Sequence, residues 1–121
     1  MKIKISIGEI VDKLSILDIK RRKITDTNKL INIEKEYTYL YRIVFNILNI
    51  DIDDYNQLLI TNEELWNIED AIRVKEKNKV FDEDFIHLAR LVYTTNDIRF
   101  EFKKVINLKY GSDFFEEKSY E

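Results

Sequence analysis

The sequence predicts an all-α protein: an antiparallel bundle of about four main helices with a folded-back C-terminal segment. Three observations carry that reading. Apolar residues recur at helical spacing along most of the 121 residues. There is no proline and there are only two glycines, Gly8 and Gly111, so few positions force the backbone to turn sharply. The polar stretches that interrupt the apolar stripes are short, and short connections favour antiparallel neighbours.

Lys2 to Ile5 alternates charged and apolar residues, but four residues are too few for a strand. Ser6 followed by Glu9 matches a capping box, and Ile7, Ile10, Leu14 and Leu17 then form a stripe, which places a first helix at about 7–23. The basic run Lys20-Arg21-Arg22-Lys23 closes it, where cations meet the negative end of the helix dipole. Thr25-Asp26-Thr27-Asn28 offers N-caps for a second helix, with the stripe Leu30, Ile33, Tyr37, Leu40, Tyr41, Val44 and Leu48. Turn-favouring residues fill Asn49 to Asp54, and Tyr55 to Ile60 reads as a helical turn. Thr61 and Glu64 propose another capping box, so the third helix is expected at about 62–78. Asp82 opens a fourth, with Phe85, Leu88, Leu91, Ile98, Phe102, Val105 and Ile106 at helical spacing until Gly111; it spans roughly 40 Å. Phe114, Phe115 and Tyr120 give the last ten residues apolar surface to bury. That segment is expected to return to the bundle, bringing Lys118 and Ser119 towards its polar flank.

Charge and composition exclude several classes of function. A net charge of −3 argues against general nucleic-acid binding, which rests on neutralising many phosphates. Without cysteine there is neither a disulfide framework nor a thiolate metal site, and with one histidine, His87, there is no multi-histidine site. No apolar run reaches the roughly 18–20 residues that span a bilayer, and Met1 to Ser6 has no signal-peptide core. The reading is a single helical domain over residues 1–121, cytoplasmic, with no membrane partner.

Polar residues beside the buried faces are the candidates for function. The first helix carries a second, mixed face, so it is expected to be covered on two sides, with Glu9 and Asp12 partly enclosed. In the third helix Glu69 and Asp70 flank the stripe of Leu65, Ile68 and Ile72, near Trp66. In the fourth, Asn96, Arg99 and Lys103 form one edge. Read functionally, Glu9, Asp12, Glu69 and Asp70 would hold a hard cation such as Mg²⁺, which takes oxygen ligands, while Asn96, Arg99 and Lys103, with Trp66, would bind a phosphorylated ligand. Read structurally, the same charges pair across the bundle, for example Glu9 with Arg99 and Glu69 with Arg73.

Four motifs carry a resemblance over nearly the whole chain: Ser6-Ile-Gly-Glu-Ile-Val-Asp-Lys-Leu-Ser-Ile-Leu-Asp-Ile-Lys20, Asn62-Glu-Glu-Leu-Trp-Asn-Ile-Glu-Asp70, Ala89-Arg-Leu-Val-Tyr-Thr-Thr-Asn-Asp-Ile-Arg99, and Ile106-Asn107 and Gly111-Ser112 with Glu116-Glu-Lys-Ser-Tyr120. Together they resemble an uncharacterised domain-of-unknown-function family of small proteins from bacteria and viruses. Segments of that family accompany tetratricopeptide or sugar-transfer proteins, which the resemblance links to surface-glycan metabolism. A second likeness is to the all-α nucleoside triphosphate pyrophosphatases, which hold Mg²⁺ on paired acidic motifs; Glu9-x-x-Asp12 matches one such pair, and the adjacent Glu69-Asp70 departs from the other.

The expected function is therefore a small helical module with a polar pocket for a nucleotide or nucleotide-sugar, with Mg²⁺ as candidate cofactor. The alternatives are a non-catalytic interaction or assembly protein, with a homo-oligomer among its forms, and a pyrophosphatase-like hydrolase.

Overall fold

The computed structural model describes residues 3–114. Ile3 to Ile5 form no regular element, and Ser6 starts helix α1, Ile7–Lys23, by accepting the Glu9 N–H on its hydroxyl at 3.2 Å. This is half of the expected capping box, because the Glu9 carboxylate turns instead to another helix. After three connecting residues Asp26 caps helix α2, Thr27–Tyr41, by accepting the Lys29 N–H. Its apolar stripe does continue to Leu48, but as a π-helical segment, Arg42–Ile47. There the Leu48 N–H reaches the Ile43 carbonyl at 2.8 Å, five residues back, and Asn49, at φ 54°, turns the chain so that Val44 and Ile50 both enter the core.

The third helix starts ten residues earlier than expected. Helix α3 runs Ile52–Lys77, and Asp51 is its cap, accepting the Asp53 N–H. Thr61 caps nothing: its hydroxyl donates to the Gln57 carbonyl inside the helix. Burial decides the matter, since Tyr55 and Leu58 lie in the core with Val11, Leu14 and Ile106. Helix α4, Glu83–Lys109, is capped by Asp82 as its sequence suggests. Gly111 adopts φ 68°, and the Ser112 N–H bonds to the Asn107 carbonyl at 2.8 Å, a Schellman ending that requires a left-handed residue.

The architecture is two helical hairpins, α1–α2 and α3–α4. α1 is central, in contact with all three other helices, whereas α2 packs on α1 alone among the helices and buries no residue completely. The partners of α1 change along its length. Gly8, Glu9 and Asp12 meet α4, and Asp18 and Arg22 meet α3. α1 thus lies across one end of the α3–α4 hairpin, covered on two sides as its mixed faces suggest. The rest of that hairpin projects past it: from 66 to 94 no residue is buried. No helix among the described residues is long and apolar enough to cross a membrane.

Two residues of the segment expected to fold back bear on that expectation. Ser112 is buried and its hydroxyl accepts the Ile7 N–H at 3.0 Å, while Phe114 remains 47% exposed. The expectations for Phe115, Lys118, Ser119 and Tyr120 fall outside the described residues.

Candidate functional site

Where α1 meets α3 and α4, polar side chains converge because the backbones come close. An added Cβ at Gly8 would lie 2.7 Å from the Lys103 carbonyl oxygen, so only glycine admits this approach. The Gly8 N–H donates to Asn107 Oδ1 at 2.7 Å. One turn on, Asp12 is 2% exposed, and its carboxylate is held from two helices. Arg99 of α4 donates Nε to Oδ1 at 2.8 Å and Nη2 to Oδ2, and Asn62 of α3 donates Nδ2 to Oδ1 at 2.9 Å. Asn62 also donates to Ser15 Oγ, whose own proton goes to the Asp12 carbonyl. Beside this group, Lys103, itself buried, extends Nζ to Glu9 Oε1 at 2.7 Å. Arg99 Nη1 reaches Asn96 Oδ1 at 3.3 Å.

Among the described residues, the Arg99 guanidinium faces the Asp12 carboxylate and the Lys103 ammonium faces that of Glu9. Each charge would be costly to bury alone, and each has a partner of opposite sign. Among the described residues no buried side-chain nitrogen or oxygen lacks a hydrogen-bond partner. The N–H groups of Ile7, Gly8 and Glu9, an open anion site in an uncapped helix, are taken by Ser112, Asn107 and Ser6.

The expected site residues divide. Glu9, Asp12, Asn96, Arg99 and Lys103 come together, though with partners exchanged: Glu9 pairs with Lys103, and Arg99 with Asp12. Glu69 and Asp70 stand exposed on α3, and Trp66 is half-buried there. Among the described residues no three acidic or histidine side chains are grouped to hold a metal ion, so the four carboxylates named for Mg²⁺ do not form one site. Asn62, Ser15 and Asn107 complete the group without being among the expected site residues, although each falls within a motif that carries the family resemblance. As the expected start of a helix, Asn62 has no reason to face a core. Asn107 carried a signal, since it stands one turn before the Gly111 ending that fixes the register of α4.

Across residues 1–121 the sequence matches a family described as being of unknown function, DUF6165. The chain belongs to that family. No curated protein and no solved structure matches it. In this DUF6165 member Arg99, Lys103 and Asn62 tie the carboxylates of α1 to α4 and α3.

Proposed function

We propose that the chain is a non-catalytic assembly module that pairs with a second copy through the outer face of its α3–α4 hairpin. The observation that carries this is the uncovered apolar strip on that face. Asn62, Arg99 and Lys103 mark the side of the hairpin turned to α1. Roughly half a turn round, Ile60, Ile98 and Val105 are 57%, 50% and 49% exposed, with half-buried Ile68 and Leu91 between them. Leu91, Ile98 and Val105 are seven apart, which keeps them on one helical face.

The size of the face favours a second copy. Twenty-six residues of α3 make a rod of about 39 Å, and two helices side by side are about 20 Å wide, so the face covers about 800 Å². A stable protein–protein interface takes about that area from each partner. A two-fold pairing sets each strip against its equal and converts two hairpins into a four-helix layer, covered on its far side by α1 at one end of each hairpin. Sedimentation equilibrium over a wide concentration range tests this. Dimer is expected for the wild type and monomer for Ile98→Glu and Val105→Glu with unchanged helical circular dichroism. A wild type that stays monomeric throughout, or variants that stay dimeric, would overturn it.

A second reading is a module for a phosphorylated ligand, a nucleotide or nucleotide-sugar. What favours it is the side chain of Arg99, 26% exposed, on the same edge of α4 as Asn96 and Lys103. A phosphate would have to draw Arg99 from Asp12 or Lys103 from Glu9. Thermal stabilisation by a nucleotide panel, with and without Mg²⁺, would support this reading, and its absence in both series would remove it.

A further inference from the structure

Away from the polar group, the π-helical segment helps to wall a second feature. Residues Tyr37, Tyr41 and Phe45 are four apart, and the widened turn lets them stack along one line. Their ring centroids are 5.8 and 4.8 Å apart, and Tyr55 of α3 closes the row 5.2 Å from Phe45. These four rings line a cleft of about 380 Å³, at the small end of the range for ligand sites, together with Asp18 and Arg22.

The carboxylate in this cleft is unusual in its surroundings. Asp18 is 6% exposed. Its Oδ2 accepts the Tyr55 hydroxyl at 2.7 Å on the interior side. Its Oδ1 faces Arg22, whose Nη2 lies 3.2 Å away and whose Nη1 is 3.4 Å from Glu63. The Arg22 side chain is half-exposed, and both of its contacts are longer than those of the Asp12–Arg99 pair. It therefore bridges two carboxylates loosely and can retain Glu63 if it gives up Asp18. Burial, and next the hydrogen bond to Asp18, raise the Tyr55 hydroxyl above its ordinary value, so it remains a neutral donor to the Asp18 carboxylate. One of the rings already receives a guanidinium: Arg21 Cζ stands 4.1 Å from the Tyr37 centroid. Arg21 is otherwise committed to Glu34 at 2.8 Å.

We propose that the cleft between α1, the end of α2 with the π-helical segment, and α3 binds a small organic cation, with Asp18 as counter-charge, the aromatic row as its walls and Arg22 as an internal partner that the ligand displaces. Rings present their negative faces to a cation, and a partly dry carboxylate adds a directional partner. Arg22 sets this proposal apart from a merely structural cluster. If Arg22 is a stabilising member, its removal loosens the site; if it is a competitor, its removal opens it.

Choline and its uncharged carbon analogue are the probes, titrated into the full chain and followed by the ring signals of Tyr41 and Phe45. Choline is expected to bind and the analogue to leave the spectrum unchanged. Asp18→Asn should weaken choline about tenfold or more, and Arg22→Ala should tighten it several-fold. Since Asp18→Asn also touches the core, Tyr41→Leu at the exposed rim is the second variant, expected to keep the fold by circular dichroism and to weaken choline. Equal binding of the uncharged analogue, or an Arg22→Ala protein that binds choline no better than wild type, would overturn the proposal.

Discussion

Arg99 of α4 clasps Asp12 of α1 with two donors, Nε and Nη2, although 87 residues separate them in the chain. The contact fixes the angle and the register at which α1 lies on the hairpin. With Asn62 donating to the same carboxylate, a single buried anion ties three helices together.

Asp12→Ala should therefore be among the most damaging substitutions in the chain, since it removes the carboxylate that both Arg99 and Asn62 donate to. Truncating one member of a buried pair costs about 3–5 kcal/mol, and the partial exposure of Arg99 points to the lower end. A fall in melting temperature of about 10 °C or more is expected. In a double-mutant cycle with Arg99→Ala, the two losses should fall short of additive by about 1 kcal/mol or more. Additive losses would mean that the pair contributes nothing as a pair.

The two glycines should respond for different reasons. Gly8→Ala places a methyl against the Lys103 carbonyl and must push α1 from α4, at about 1–3 kcal/mol, offset in part by the better helix propensity of alanine. Gly111→Ala meets no neighbour and costs about 1 kcal/mol through its positive φ alone. Urea unfolding separates them further. Gly8→Ala should also break the Gly8–Asn107 bond and expose the Gly8 amide to exchange, whereas Gly111→Ala should leave that amide protected.

Acid should unfold the protein partly through Asp54. Burial works against its carboxylate, but hydrogen bonds from Lys109 at 2.8 Å and the Tyr110 hydroxyl at 2.7 Å outweigh it, and the pKa lies below the ordinary value. A carboxyl lowered in the folded state contributes stability that is fully present above its unfolded pKa, about 3.9, and is lost as the pH falls through the folded value. Asp54→Asn should flatten the acid limb of the stability profile below about pH 4. Some of the slope should remain, because the Phe85 N–H, and next Lys75, also lower the cap residue Asp82. An acid limb identical to that of the wild type would show that Asp54 is equally free in both states.

Much of this fold was legible because its signals are local. Ser6, Asp26 and Asp82 each bond an N–H three residues on, and a pattern of two residues suffices to find them. The start of α3 lies earlier than the sequence suggests because Asn49 to Asp54 reads as a turn and Thr61 with Glu64 as a cap, and only the burial of Tyr55 and Leu58 joins 52–61 to the helix. The polar group was half legible. Asp12, Arg99 and Lys103 stand out as charges beside apolar stripes, but which cation meets which anion depends on how α1 crosses the hairpin. Glu69 and Asp70 satisfy the same pattern and stay in water, because they lie past the end of α1.

The choice between Asp51 and Thr61 can be measured. Asp51→Ala should cost about 1 kcal/mol as the loss of an N-cap, and amide exchange at 55–62 should be slow and continuous with the rest of α3. Fast exchange there, with protection starting at 64, would restore Thr61 as the helix start.

The projecting part of the hairpin offers the last test. From 66 to 94 neither helix buries a residue, so its apolar side chains hold only each other, and Val74, Ile86 and Tyr93 are each at least half exposed. Two helices with one shared seam bury too little to resist local opening, whereas the stretch beneath α1 carries the Asp12 and Glu9 pairs and the core. Amides around 70–90 should therefore exchange faster than those at 55–62 and 99–107 in dilute protein. Pairing with a second copy would cover the face that carries Ile60, Ile68, Ile98 and Val105, and binding to the folded form alone slows opening by mass action. Exchange at 60–68 and 91–105, the stretches that carry this face, should slow as concentration rises, and in Ile98→Glu it should stay the same at every concentration. If the wild-type amides there exchange at one rate across the range, the apolar strip is not the surface through which copies meet.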